Sequence, residues 1–369
     1  MKRILALTIV FIMAASLGFA GGGGQATTRG TLDIGIAMPE THVERWQRDG
    51  ADLLAGAQAR GYRAEVAFGN ADQGQQNRQI QDFITKGARL LIVGNINEGV
   101  NPVIQEAARE GIIVIAYDRL ITGSDAYDYY ITFDNFKVGQ MQGAAIEEAL
   151  NLRAATTASP KNIALFAGSP TDNNANFFFD GAMDILRPYV QSGVLRIVGP
   201  APLQSSDRAF TQIATENWRA DLAKARMENL LNNEAANVVL DAVLAPNDTL
   251  ARAIIEALSD DAKYSTVDRL PVVTGQDGEL ASVRAIIDGR QYMTVFKDTR
   301  DLAAAAIELA DALLNNRTPN IPNARRDTTT YDTGRKIVTS FLLEPINVNR
   351  ANVREVMIGG GYYTEADLR

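Results

Sequence analysis

Six short polar segments could do chemistry together: Glu44-Arg45-Trp46, Asp118-Arg119, Asp172-Asn173-Asn174, Pro246-Asn247-Asp248, Gln276-Asp277 and Phe296-Lys297. Their carboxylates only accept hydrogen bonds, their guanidinium and ammonium groups only donate, and their amides do both. An indole ring adds an apolar face that can lie against C–H groups. That mixture suits an uncharged, polyhydroxylated molecule, whose hydroxyls need donors and acceptors at once.

Each segment has a plainer use. Asp and Asn are preferred helix N-caps, so Asp172 or Asn173, Asp248 and Asp277 could each simply cap the helix that follows. Asp118-Arg119 could be a local ion pair. Capping does not explain why an Arg, a Lys and a Trp recur at the same topological place. Trp46 stands among Glu44, Arg45, Gln47 and Arg48, an unusual address for a purely buried ring. Trp218 reads as mid-helix, where packing is its simpler use. Phe177 or Phe178 could also line a pocket, although helix packing explains three consecutive Phe residues more simply.

The elements that would position these groups alternate between strand and helix. Apolar runs at 32–38, 64–68, 90–93, 112–117 and 129–133 are short and rich in Ile and Val, and segments of helical period such as 43–60, 75–86 and 100–110 separate the first four. The pattern restarts with strands at 163–166, 195–198, 238–244, 271–274 and 292–296, and helices such as 177–190 and 210–231. This is an α/β chain of two Rossmann-like, doubly wound parallel sheets. Four of the six polar segments follow directly on a strand, where open α/β sheets bind ligands. The aperiodic stretch 315–336 reads as a connection between lobes, and 337–343 as a further strand.

Composition excludes several chemistries. The 369 residues include no Cys, hence no disulfide, thiol nucleophile, thiolate metal site or lipid-modified cysteine. His42 is the sole histidine and belongs to no catalytic or metal motif. No phosphate-binding loop or calcium loop is present. Residues 1–20, with Lys2 and Arg3 ahead of an apolar run, read as a secretory signal peptide followed by a Gly-rich linker over 21–30. Their removal leaves 34 basic against 44 acidic residues, a charge near −10, with no electrostatic footprint for nucleic acid.

The runs ERWQRDG (44–50), AYDRLI (116–121), YYITFDNFKVG (129–139), GSPTDNNA (168–175), APND (245–248), TGQD (274–277) and VFKD (295–298) resemble the periplasmic D-xylose-binding and multiple-sugar-binding proteins. The resemblance implies two lobes joined by a three-segment hinge, with residues 31–134 and 298–325 in one and 135–297 and 326–369 in the other. It implies an aldose as ligand, bonded by Arg45, Asp118, Arg119, Asn174, Asn247, Asp277 and Lys297, with Trp46 and Trp218 stacked on its two faces. It also implies a periplasmic protein serving the membrane permease of an ABC importer; a chemoreceptor or sensor kinase is a further candidate partner, no cofactor is expected, and the oligomeric state is open with a monomer as default. NFFFDGAM (176–183), ARMENLL (225–231) and the long stretch 200–217 look closer to members that take glucose, galactose, arabinose and xylose.

A secreted carbohydrate-active enzyme using Asp118 and Asp277 is the competing reading. It needs one carboxyl with a raised pKa, whereas Arg119 and Lys297 adjoin these two.

Overall fold

The computed structural model describes residues 31–369; the expected signal peptide and glycine linker lie outside the described residues. In the first lobe β1 (Ile34–Met38), β2 (Ala64–Phe68), β3 (Leu90–Val93), β4 (Ile113–Tyr117) and β5 (Tyr129–Phe133) alternate at first with α1 (Arg45–Ala59), α2 (Gln73–Thr85) and α3 (Asn101–Arg109). The strands pair in parallel in the order β2-β1-β3-β4-β5. Helices cover both faces, so β1 and β3 are buried at every residue and read as unbroken apolar runs instead of alternating ones.

After β5 the chain enters the second lobe at Asp134, whose carboxylate accepts from the Lys137 N–H and caps α4 (Asn135–Ala149). There follow β6 (Lys161–Leu165), α5 (Asn173–Gln191), β7 (Leu195–Ile197), α6 (Phe210–Ile213), α7 (Ala220–Asn232), β8 (Ala242–Leu244), α8 (Asp248–Ser259), β9 (Val272–Val273), α9 (Leu280–Ile287) and β10 (Met293–Phe296). Strand order β7-β6-β8-β9 repeats that of the first lobe, and a parallel bridge between Gln276 and Val295 joins β10 to the end of β9. Helix α5 lies backbone to backbone on α4: a methyl group at Gly139 would stand 2.0 Å from the Phe178 carbonyl oxygen, and one at Gly181 2.1 Å from that of Phe136. The start of α5 is thereby held rigidly to the segment where the chain changes lobes.

Helix α10 (Thr299–Leu314) returns to the first lobe and packs on α1, with Arg60 donating to Glu308 at 2.7 Å and Tyr62 to Asp311 at 2.5 Å. The third crossing differs from the expected one. Instead of passing between lobes, residues 315–336 include β11 (Ala324–Asp327), which pairs antiparallel with β12 (Thr339–Leu343); β12 in turn extends the first sheet beside β5, Thr339 opposite Tyr129 and Leu343 opposite Phe133. Residues 326–343, expected in the second lobe, thus belong to the first sheet. The chain crosses at Glu344-Pro345, just before β13 (Ile346–Asn349) pairs with β10. Strand β11 carried no apolar signal because it is an edge strand with Arg325 and Arg326 exposed.

A candidate functional site between the lobes

The carboxyl ends of the two sheets face one another across a narrow cavity lined by side chains of both lobes. On the first lobe, the opening turn of α1 presents Arg45 and Trp46, both buried. Arg45 Nε donates to Asp49 Oδ2 at 2.8 Å one turn along the helix, and the Tyr117 hydroxyl donates to the other Asp49 oxygen. Anchored in this way, Arg45 Nη1 lies 2.8 Å from Asp118 Oδ2 and 3.7 Å from Asp277 Oδ1. The Trp46 ring carries the guanidinium carbons of Arg45 and Arg119 at 5.0 and 4.9 Å from its centroid, cation–π distances.

Asp118 sits at φ 59°, and the Arg119 N–H reaches back to the Tyr117 carbonyl at 2.6 Å. This γ-turn is a strained way to end a strand, and it turns Asp118 and Arg119 out of the sheet. Arg119 spans the cleft: Nη2 donates to Glu40 at 2.7 Å on its own lobe, and Nε lies 2.9 Å from Asp172 Oδ2 on the other.

On the second lobe Asp172 does cap α5, accepting from the Asn174 N–H at 3.0 Å, and it also accepts from Trp218 Nε1 at 3.2 Å. Asn174 Oδ1 accepts from the Tyr130 hydroxyl and Asn135 Nδ2 at 3.0 and 2.9 Å, while its Nδ2 donates to the Asp118 carbonyl at 2.7 Å. Asn247, not Asp248, caps α8, taking the Leu250 N–H at 3.0 Å. Asp248 instead lies behind the site, accepting from Gln291 and Thr294, and burial beside Glu279 pushes its carboxyl well up. Asp277 does not cap α9 either; it stands at φ 95° with its N–H on the Val295 carbonyl at 2.8 Å. Lys297 Nζ is 3.0 Å from Asp277 Oδ1 and 4.0 Å from Asp118 Oδ2.

Trp218 departs most from its expected setting. The helix read over 210–231 is interrupted between α6 and α7, where Asn217 and Trp218 take φ values of 51° and 54°. The break lets the indole lie directly on Gly168, where a methyl group would come within 2.0 Å of the ring. Residues 214–219 contain no Gly or Pro to announce it.

All nine residues that the resemblance implies as sugar contacts line this one cavity, joined by Val43, Phe178 and, from the same polar segments, Asp172 and Gln276, whereas Glu44, Asn173 and Asp248 do not line it. The three consecutive Phe residues diverge: Phe177 packs on Tyr331 and Phe179 on Phe210, while Phe178 faces the cavity beneath Lys297. Val43 gave no signal at all. His42 is exposed, its Nε2 3.0 Å from the Asn217 carbonyl across the cleft.

Burial alone would raise the Asp118 carboxyl, but Arg45, Lys297 and Arg119 outweigh it and hold the group below the usual carboxylate range. Asp172 goes the other way, because burial prevails over Arg119. Several ion pairs here are close in distance yet misaligned for hydrogen bonding. Arg45 Nη1 and Nη2, Asp118 Oδ2, Arg119 Nε, Gln276 Oε1 and Asp277 Oδ1 are buried without a hydrogen bond to any protein group. Among the described residues no cluster of three or more His, Cys, Asp or Glu side chains could hold a metal ion.

The periplasmic binding protein domain family matches residues 34–318. The chain is 41% identical to the multiple sugar-binding periplasmic receptor ChvE of Rhizobium radiobacter, with the whole of both chains covered. It is 36% identical to the D-xylose-binding periplasmic protein of Escherichia coli over 91% of this chain and 92% of that one. Among solved structures, an ABC transporter solute-binding protein of Clostridium phytofermentans with bound β-D-glucose superposes with a TM-score of 0.83 at 40% identity, covering 91% of this chain and 99% of the other. A carbohydrate transporter solute-binding protein of Chloroflexus aurantiacus in complex with D-glucose follows at 0.80 and 35%, covering 91% and 98%. Matched along its length in both sequence and fold, the chain belongs to the sugar-binding members of the periplasmic binding protein family.

Proposed function

We propose that the protein captures a monosaccharide, an aldose such as glucose, galactose, xylose or arabinose, between its two lobes and delivers it to the permease of an ABC importer. The observation that carries this reading is the set of six buried polar atoms around one cavity, donors and acceptors mixed, that lack a hydrogen bond to any protein group, four of them held only in ion pairs. Buried polar groups are almost always hydrogen-bonded, so a cluster of atoms short of a hydrogen bond marks where a polar ligand completes the network. Arg45, Arg119 and Lys297 each have carboxylate partners, which leaves no cation in excess for an anionic ligand. Trp46 and Trp218 supply the apolar surfaces for the two faces of a sugar ring.

Contacts come from both rims, so the full set exists only with the lobes together, and a ligand that uses it favours closure. The closer identity to ChvE than to the xylose-binding protein favours a broad choice of aldose. The relatives' periplasmic address, with an apolar segment at residues 1–20, supports export to the periplasm, where a chemoreceptor or sensor kinase would also meet the closed form. No helix among the described residues is long and apolar enough to cross a membrane. Asp118, held below the ordinary carboxylate range, is a poor proton donor, which speaks against it as the general acid of the competing enzyme reading.

A thermal-shift screen across pentoses and hexoses tests the reading, because a ligand that binds only the native state stabilises it by about 2.7 kcal/mol at a hundred times its Kd. Glucose, galactose and xylose are expected to raise the Tm. No shift with any aldose would overturn the proposal.

A further inference from the structure

Three side-chain amides line the cavity, and they are not equivalent. The carbonyl oxygen of Asn174 is committed to Tyr130 and Asn135, and that of Asn247 to the Leu250 N–H. The third belongs to Gln276, which is 1% exposed and whose Oε1 has no hydrogen-bond partner. Its main chain is fixed where the sheet passes from β9 to β10: residue 276 bridges to Val295, its carbonyl accepts the Asp248 N–H at 3.0 Å, and the next N–H is held by Val295. A rigid backbone thus carries an amide with an uncommitted acceptor.

We infer that Gln276 is a specificity-determining residue that reads one hydroxyl of the bound sugar through its side-chain amide, an inference that rests on the aldose-binding function proposed above. The other acceptors uncommitted around the cavity, Asp118 Oδ2 and Asp277 Oδ1, are carboxylate oxygens beside cations. An amide differs from both, since it can accept from a hydroxyl and donate to it while adding no charge. A site whose polar group must be met by a hydroxyl rejects an analogue that lacks it, because the amide is then buried unpaired.

The test couples protein and ligand changes. Wild type and Gln276→Met are titrated calorimetrically with the best aldose from the thermal screen and with its monodeoxy analogues. Gln276→Met is expected to bind the parent sugar roughly tenfold more weakly, the worth of one such hydrogen bond, and to bind one particular deoxy analogue as well as it binds the parent. Gln276→Asn, which keeps the amide but retracts it by one methylene, serves as a second variant with the same expected loss, and sugar-free melting curves establish that each is folded. Equal losses for every deoxy analogue in wild type and variants, with parent affinity unchanged, would overturn the role of Gln276 and leave the sugar-binding function standing. Failure of wild type to bind any aldose would overturn both.

Discussion

Asp118 and Asp277 occupy equivalent points of the two lobes, and they differ in where their partners come from. Each follows the fourth strand of a sheet with the same strand order, each has positive φ, and each donates its N–H to a carbonyl of the next strand, Ile131 or Val295, at 2.8 Å. Strain of about 1–3 kcal/mol at such a residue persists only where the surroundings fix it. Asp118 has its closest cation, Arg45 at 2.8 Å, on its own lobe, itself anchored by Asp49. Asp277 meets Lys297 at 3.0 Å, where the chain crosses between lobes, and Arg45 at 3.7 Å only from the opposite lobe. The repeated scaffold fixes position, while the cations differ: Arg45, anchored by Asp49, serves Asp118 from its own lobe, whereas Asp277 relies on Lys297 at the crossing and meets Arg45 only with the lobes together.

The harshest way to break that comparison is Arg45→Ala, which strips the group shared by both aspartates and leaves Asp49 and Asp118 buried without their main cation. Truncating one partner of a buried pair costs about 3–5 kcal/mol, so sugar affinity should fall at least a hundredfold and the sugar-free Tm should fall too, read by calorimetry and melting curves. Next come Asp118→Ala and Asp277→Ala, each expected to cost about 2 kcal/mol of binding, roughly thirtyfold in affinity, for the loss of a charged hydrogen-bond partner. They should separate in sugar-free melting: Asp118→Ala lowers the Tm, Asp277→Ala leaves it nearly unchanged. Equal Tm changes would remove the distinction between the rims.

Acid sharpens the comparison. A carboxyl whose folded pKa is depressed contributes stability that is present above its unfolded value, here 3.8, and is lost as pH falls through the lower folded value. The stability gap between wild type and Asp118→Asn should therefore hold steady from pH 7 to about pH 5 and close only below that 3.8, which chemical denaturation at stepped pH would reveal.

The smallest effect belongs to the flank of the cleft, where Arg48 of α1 lies 5.1 and 4.8 Å from the ring centroids of Tyr362 and Tyr363. Tyr363 packs in the second lobe's core with Met357 and Phe296, and its hydroxyl donates to the Gly278 carbonyl beside Asp277. Arg48→Ala should weaken sugar binding by only about twofold to fivefold, the scale of a partly exposed cation–π contact, with Arg48→Lys intermediate.

The strands were legible because buried parallel strands are unbroken apolar runs, and four of the six polar segments because charged and amide groups follow those runs directly; the remaining rim residues were legible only through the family resemblance. Where one residue does two jobs, the pattern misleads: Asp172 is a cap and also the partner of Arg119 and Trp218. Strand β11 was hidden by its exposed arginines, and with it the true third crossing. The break before Trp218 depends on tertiary hydrogen bonds, such as the Thr215 N–H to the Gly168 carbonyl at 3.0 Å, which leave no local signature. Phe178 could not be told from its neighbours because helix phase against α4, not residue type, sends it to the cavity.

A crystal structure of the protein grown with D-glucose tests the central claim most directly. The expected result is one sugar between the lobes with Arg45 and Asp118 from one rim and Asp277 and Lys297 beside the other all within about 3 Å of its oxygens, the ordinary hydrogen-bond distance. A sugar held by one lobe alone, or seated outside this cavity, would contradict it.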